Sequence, residues 1–204
     1  MKTRTWESVL IMYVGPMWGE KSTNLVREAS RAKRAQCKID VFVPATDTRS
    51  KGQVRTHTGV DLSTIGITPK IVNSSKDMWV HRKKDAELHI LDEVHLWDDE
   101  LPIYVEKLLA LGKGVVCAGL DMDSEGNPIG PVPTLLCRAQ KIVKCTAICS
   151  CGAEADRTLA IVPKTGQVLV GAGEFYVPKC FACWSLAMKH RKLKAAGVLK
   201  GHRA

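Results

Sequence analysis

No stretch of this 204-residue chain approaches the run of apolar residues, roughly 18–20 long, that a membrane-crossing helix needs. No secretion leader is expected either. Met1 to Glu7 is polar, the apolar run Ser8 to Val14 behind it is short, and no small-residue cleavage site follows. The expectation is therefore a cytoplasmic protein, with no membrane partner. Without an export signal, the eight cysteines read as thiols or metal ligands rather than as a disulfide framework. There is no internal repeat and no low-complexity segment, so the length fits one α/β domain of moderate size plus a small appendage.

What is present starts with an ordinary globular composition, 45% hydrophobic and 25% charged, enough to bury a real core. The formal charge is +9 and the pI about 9.2, which favours anionic partners without choosing among them. Much of the excess lies in Arg27 to Lys38 and in the segment after Cys183. The plainest reading of the two is a solvated helix face and a frayed end.

The chain is organised around Gly15-Pro16-Met17-Trp18-Gly19-Glu20-Lys21-Ser22. Ser8 to Val14 before it reads as a buried strand. Lys21 to Gln36 after it carries apolar or small residues at Leu25, Ala29, Ala32 and Ala35, so it reads as a helix. A tight turn from strand into helix is an anion site, because the first amides of the helix point at the ligand and its dipole favours negative charge. The G-x-x-x-x-G-K-[ST] pattern is met at Gly15, Lys21 and Ser22 and broken at Glu20, where the second glycine belongs. Gly19 next door is the expected source of the permissive backbone.

Further along, Lys38 to Val43 reads as a second strand and Ser74 to Lys84 as a short helix. The long polar stretch between them, Pro44 to Asp61, reads as a loop of functional length. Glu87 to Leu91 is a third buried strand and runs straight into Asp92-Glu93. One carboxylate at such an edge can reach Mg²⁺, and the other can accept a proton from a nucleophile. Pro102 to Leu111 has a helical stripe, and Val115 to Ala118 is a buried strand leading into Gly119-Leu120-Asp121. Alternating strands and helices imply a parallel sheet, whose ligands bind outside the carboxyl ends of the strands. The phosphate loop, Asp92-Glu93 and Gly119 to Asp121 should therefore gather at one edge.

From about Lys144 the character changes. Cys149-Ser150-Cys151 and Cys180-Phe181-Ala182-Cys183, separated by 28 residues, resemble two knuckles around a structural Zn²⁺. The first pair is one residue short of C-x-x-C, so Cys145 is a candidate substitute. Leu159 to Val162 and Gln167 to Gly171 read as short strands of a β-rich lobe.

Several pieces in order carry a family resemblance: Gly15-Pro16-Met17 with Lys21-Ser22, Asp47-Thr48-Arg49, Leu91-Asp92-Glu93 and Cys117 to Asp121. Asn127 to Pro131, Thr146 to Cys149, and Tyr176 with Cys180 and Cys183 follow. From Leu10 to about Trp184 the chain resembles the thymidine kinase family of the zinc-ribbon, RecA-like type. The resemblance implies a RecA-like P-loop core over 1–144, a zinc-ribbon and lasso lobe over 145–190 and a basic tail over 191–204. It implies transfer of the γ-phosphoryl of ATP to the 5′-hydroxyl of thymidine or deoxyuridine, with Mg²⁺ and structural Zn²⁺ as cofactors. Glu93 would be the general base, and Ser22 and Asp92 would serve Mg²⁺. Gly15, Pro16, Met17, Trp18, Gly19, Glu20, Lys21 and Ser22, with Asp92, Glu93 and His95, would hold ATP. Met17, Leu96, Leu120, Ser124, Ile129, Thr158, Leu169, Gly171 and Tyr176 would hold the nucleoside. Cys149, Cys151, Cys180 and Cys183 would bind zinc. A homotetramer is implied as well, and nucleic acid is not an expected partner.

This chain departs from the family pattern at Glu20, at His95 where Gln is usual, at Thr58 after His57 where Asp is common, and at Leu96, Ser124 and Ile129 where aromatics are usual. Glu20 keeps open a nucleotide-binding relative with impaired catalysis. Asp92-Glu93-Val94-His95 also resembles a helicase DExH box, but such motors need two RecA-like lobes, and only a cysteine-rich segment follows the first core here.

Overall fold

The computed structural model describes residues 5–47, 52, 54, 61–162 and 175–197. Six strands form one sheet: β1 (Leu10–Val14), β2 (Ile39–Pro44), β3 (Lys70–Val72), β4 (Leu88–Leu91), β5 (Gly114–Gly119) and β6 (Lys141–Lys144). Their spatial order is β3-β2-β4-β5-β1-β6, and every neighbouring pair is parallel. Parallel strands need crossovers that cover both faces, so central strands must be apolar on both sides. β1 meets that demand, with all five residues of LIMYV buried.

The alternation of side chains along each strand divides the core into two layers. Leu10, Met12 and Val14 pack with Phe42, Leu91, Val115 and Cys117. This layer is covered by Met78 of α2 (Ser75–His81), by Leu101, Val105 and Leu108 of α3 (Leu101–Ala110), and by Val132 and Leu135 of α4 (Val132–Arg138). On the other face Ile11 and Tyr13 join Val41, Val43, Ile90 and Val116 beneath α1 (Lys21–Arg34), which contributes Leu25, Val26, Ala29 and Ala32. Burying an apolar side chain of this size stabilises the fold by about 1.5–3 kcal/mol. One charged residue shares that layer: Glu28 of α1 is buried and accepts hydrogen bonds from Trp6 Nε1 (3.2 Å), Tyr13 Oη (3.0 Å) and Arg31 (2.8 Å).

The chain leaves β1 toward one face, through α1, and leaves β5 toward the other, through α4. β1 and β5 are neighbours, so a crevice opens between their carboxyl ends, where ligands bind in sheets of this kind.

Beyond β6 the chain makes two small antiparallel pairs. β7 (Ala147–Ile148) pairs with β8 (Glu154–Ala155), and β9 (Arg157–Ala160) with β10 (Tyr176–Lys179). α5 (Phe181–Ala195) follows and lies against β9 and β10. The basic segment after Cys183, read above as a frayed end, is thus helical as far as Ala195, although no α5 residue is fully buried. The strand expected over Gln167 to Gly171 lies outside the described residues. No helix among the described residues is long and apolar enough to cross a membrane.

Candidate active site at the carboxyl edge of the sheet

β1 delivers the chain into the turn Gly15 to Glu20, and α1 begins at Lys21. Gly15 has φ +150°, and a Cβ there would collide with the carbonyl oxygen of Cys145, so only glycine fits. The turn holds two non-glycine residues in left-handed backbone, Trp18 (φ 68°) and Glu20 (φ 56°). This corrects the expectation for Gly19: Glu20 itself adopts the conformation that the missing glycine would have taken. Such backbone costs a non-glycine residue about 1–2 kcal/mol, and strain of this kind collects at functional sites. The Glu20 side chain is exposed and makes no capping bond to α1. The first turn of α1 carries no acidic residue, so its amides face an anion without competition. Lys21 folds back, its Nζ donating to the carbonyl of Pro16 (2.6 Å). Burial lowers the Lys21 pKa, and the charges of Glu93, Cys145, Asp92 and Asp121 oppose that shift.

Those acids come from neighbouring strand ends. Asp92 and Glu93 follow β4, and Asp121 follows β5. Asp92 is buried and accepts the amide of Glu93 (2.9 Å), while its backbone carbonyl accepts Trp97 Nε1 (3.0 Å). Burial raises the Asp92 pKa, the negative charges of Glu93 and Asp47 raise it further, and Lys21 works against them. Asp47 is buried at the end of β2 and joins this acid group. It stands in the Asp47-Thr48-Arg49 motif but carried no assigned role. Its position just past an apolar strand was the available signal. Glu93 sits in left-handed backbone (φ 48°) and is partly exposed. His95 is buried, with Nδ1 accepting the amide of Leu120 (3.2 Å) and lying 3.4 Å from Glu93 Oε2. Asp121 is ion-paired with Lys144 of β6.

Beside the charged groups lies a small apolar cluster, in which Met17, Ala160 and Tyr176 pack with Leu120 and Phe175. The amide of Met17 donates to Thr158 Oγ1 (3.0 Å), tying the Gly15 to Glu20 turn to β9. Met17, Leu120 and Tyr176 are thereby brought together, with Thr158 bonded to the first of them. Ile129 and Ser124 are buried on the loop that follows Asp121, and the Ser124 hydroxyl has no hydrogen-bond partner among the described residues. Leu96 is half-buried in a 3₁₀ turn, Val94–Leu96, and its carbonyl accepts Thr46 Oγ1 (3.3 Å). Leu169 and Gly171 lie outside the described residues, as do Thr48, Arg49 and Thr58.

The four sulfurs of Cys149, Cys151, Cys180 and Cys183 all lie within 4.8 Å of one another. A zinc–thiolate distance of about 2.3 Å gives a tetrahedron with edges of about 3.8 Å, and Cys151 and Cys180 are 3.7 Å apart. Four thiols converging this closely fit a tetrahedral metal, and the short first pair is no obstacle. A turn in which the Cys149 amide donates to Ala153 O (2.9 Å) and the Gly152 amide to Cys149 O (2.8 Å) brings the pair round. Cys145 is not part of the cluster. It sits beside the Gly15 to Glu20 turn, and Asn24 Nδ2 lies 3.6 Å from its sulfur.

A lysine at the head of a helix, set against carboxylates from adjacent strand ends and an apolar recess, is an arrangement whose chemistry suits a phosphorylated ligand. The chain belongs to the thymidine kinase family, whose model matches residues 8–184. Family membership carries kinase-type activity and use of ATP with a nucleoside. Among solved structures, the flagellar accessory protein FlaH from Methanocaldococcus jannaschii is 11% identical over 85% of this chain and 88% of its own, with a TM-score of 0.45. A likeness of that size carries no argument.

Proposed function

We propose that this chain is a thymidine kinase that moves the γ-phosphoryl of ATP to the 5′-hydroxyl of thymidine or deoxyuridine. The observation supporting it most strongly is the meeting, at one sheet edge, of Lys21, the Asp92-Glu93 pair and the Met17–Leu120–Tyr176 cluster. The core over 1–144 is read as a RecA-like P-loop domain, 145–190 as a zinc-ribbon and lasso lobe, and 191–204 as a basic tail. A cytoplasmic homotetramer completes the proposal.

In this reading the amides at the head of α1 cradle the phosphates. Lys21 exchanges the Pro16 carbonyl for phosphate oxygens, one charge-assisted bond for others. Glu93 takes the proton of the 5′-hydroxyl as its oxygen bonds to the γ-phosphorus, while the bond to the β–γ bridging oxygen breaks and ADP leaves. Partial exposure lets Glu93 return that proton to water. His95, which accepts the Leu120 amide, fixes the nucleoside wall beside Glu93. Burial first, and then the negative charges of Glu93 and Asp47, raise the Asp92 pKa, and a cation held by Ser22 and Asp92 would offset that cost. Mg²⁺ would supply neutralisation of phosphate charge there. Met17, Leu96, Leu120, Ser124, Ile129, Thr158 and Tyr176 form the nucleoside wall, with Leu169 and Gly171 giving main-chain contacts. The four-cysteine cluster holds structural zinc.

ADP release from ATP and Mg²⁺, measured with and without thymidine, tests the proposal. Release that needs thymidine supports it, and release that needs a polynucleotide refutes it. The strained backbone at Glu20 favours one second reading, a relative that binds ATP without turnover. In that case ATP binds and thymidine elicits no ADP.

A further inference from the structure

We propose that Trp184 is a positioning residue that couples the four-cysteine cluster to the 120–130 loop, so that the state of the cluster is read in nucleoside affinity. The inference rests on the reading of Leu120, Ser124 and Ile129 as part of the nucleoside wall.

The loop is a self-bonded unit. Asp123 Oδ1 accepts the amides of Glu125 and Asn127, both at 2.9 Å. The Asp123 amide donates to Asn127 O (2.9 Å), the Gly126 amide to Asp123 O (3.1 Å), and Met122 is bridged to Pro128. A segment bonded to itself in this way shifts as one body, so a force at its tip reaches Leu120 and Ile129 at its ends.

The tip is held by α5. Trp184 Nε1 donates to the carbonyl of Ser124 (3.1 Å). Its ring covers Gly126, whose φ of +84° and lack of room (a Cβ would lie 3.1 Å from the ring) admit no side chain. Trp184 directly follows Cys183, and its amide donates to Cys180 O (2.9 Å) in the first turn of the helix. Two of the four clustered cysteines therefore set where the indole stands. Phe181 (6.2 Å between centroids) and the Arg157 guanidinium (5.9 Å) pack against the ring. The lobe has a separate link to the phosphate loop, from Met17 to Thr158, and Trp184 takes no part in it. A change at Trp184 that keeps a ring against Arg157 leaves that link in place and is felt first at the nucleoside end.

The test uses Trp184→Phe in the full chain, which keeps a ring over Gly126 and removes the N–H donor. Amide hydrogen exchange of the ligand-free protein should show Glu125, Gly126 and Asn127 exchanging about tenfold faster, with β1 and β5 amides unchanged and bound zinc unchanged. Stripping the metal from the natural protein with a chelator should expose the same three amides. In turnover, the KM for thymidine should rise about fivefold, while kcat and the KM for ATP stay within about twofold. Loop amides that exchange at the natural rate in Trp184→Phe overturn the proposal, as does a parallel rise of both KM values. The exchange measurement needs no catalysis. A chain that never phosphorylates thymidine would sink the functional reading while this coupling is still decided, for or against, by the amides.

Discussion

His89 gives the sharpest test of the core. It lies on β4, paired in register with Asp40 of β2 and Val115 of β5, and neither ring nitrogen has a hydrogen-bond partner among the described residues. It is 1% exposed. Burial pushes its pKa from 6.5 down to about 4; Lys113, Arg82 and Lys70 push the same way, and Asp40 opposes them. Asp40 is already engaged by Lys70 Nζ (3.0 Å) and the amide of Lys83 (2.7 Å), so it is poorly placed to rescue an imidazolium. Because the folded state holds the proton more weakly than the unfolded chain does, stability is complete above pH 6.5. It falls as the pH drops toward 4 and then levels off. At 1.36 kcal/mol per tenfold change in proton affinity, the loss is about 3 kcal/mol. The perturbation is His89→Leu, which removes both the titration and two unpaired buried nitrogens, and leaving such atoms unmade costs about 1–3 kcal/mol. Urea unfolding from pH 8 to pH 4 should find the variant no less stable than the natural protein at pH 8. On acidification it should gain about 3 kcal/mol relative to the natural protein. Two stability curves that stay parallel across this range would refute the reasoning, since the difference isolates His89 from every carboxylate that titrates in both proteins.

Glu93→Gln should leave folding and ATP binding intact and cut turnover by about 10²–10⁴-fold, the usual worth of a placed general base. Near-full activity in single-turnover assays would remove Glu93 from that role. Elemental analysis after dialysis should find one zinc per chain, lost in Cys149→Ser and kept in Cys145→Ser, because the Cys145 sulfur lies by Asn24 and outside the cluster. Glu20→Gly should relieve the left-handed backbone, raising stability by about 1 kcal/mol in thermal unfolding. It should also lower the KM for ATP by less than about tenfold, because the exposed carboxylate is free to turn to water. A catalytically dead natural protein revived by that change would favour the impaired-relative reading instead.

The parts of the site that the sequence determined by itself are local. An apolar run closing on Gly15, and another closing on Asp92-Glu93, could be read directly, because strand, turn and helix start are properties of a few adjacent residues. The thiol pairs at Cys149 and Cys180 were legible for the same reason. What lay beyond reach was set by contacts across long separations. β6 is only Lys-Ile-Val-Lys, with three of its four residues exposed, and nothing in its own pattern announces a strand. It exists because its edge pairs with β1, and that pairing lets the Cys145 amide reach Val14 O (2.7 Å) and sets Cys145 against the turn that follows β1. Four residues later the chain has turned away and Cys149 enters the four-cysteine cluster, so neighbours in sequence join different groups. The same logic governs Asp47, which reaches Asp92 because β2 lies beside β4, and Glu20, whose backbone Gly19 was expected to spare. Local propensity proposes where a chain can turn. Which residue bears the left-handed φ, and which acids face each other across strand ends, is decided by the register in which the buried faces of distant strands pack.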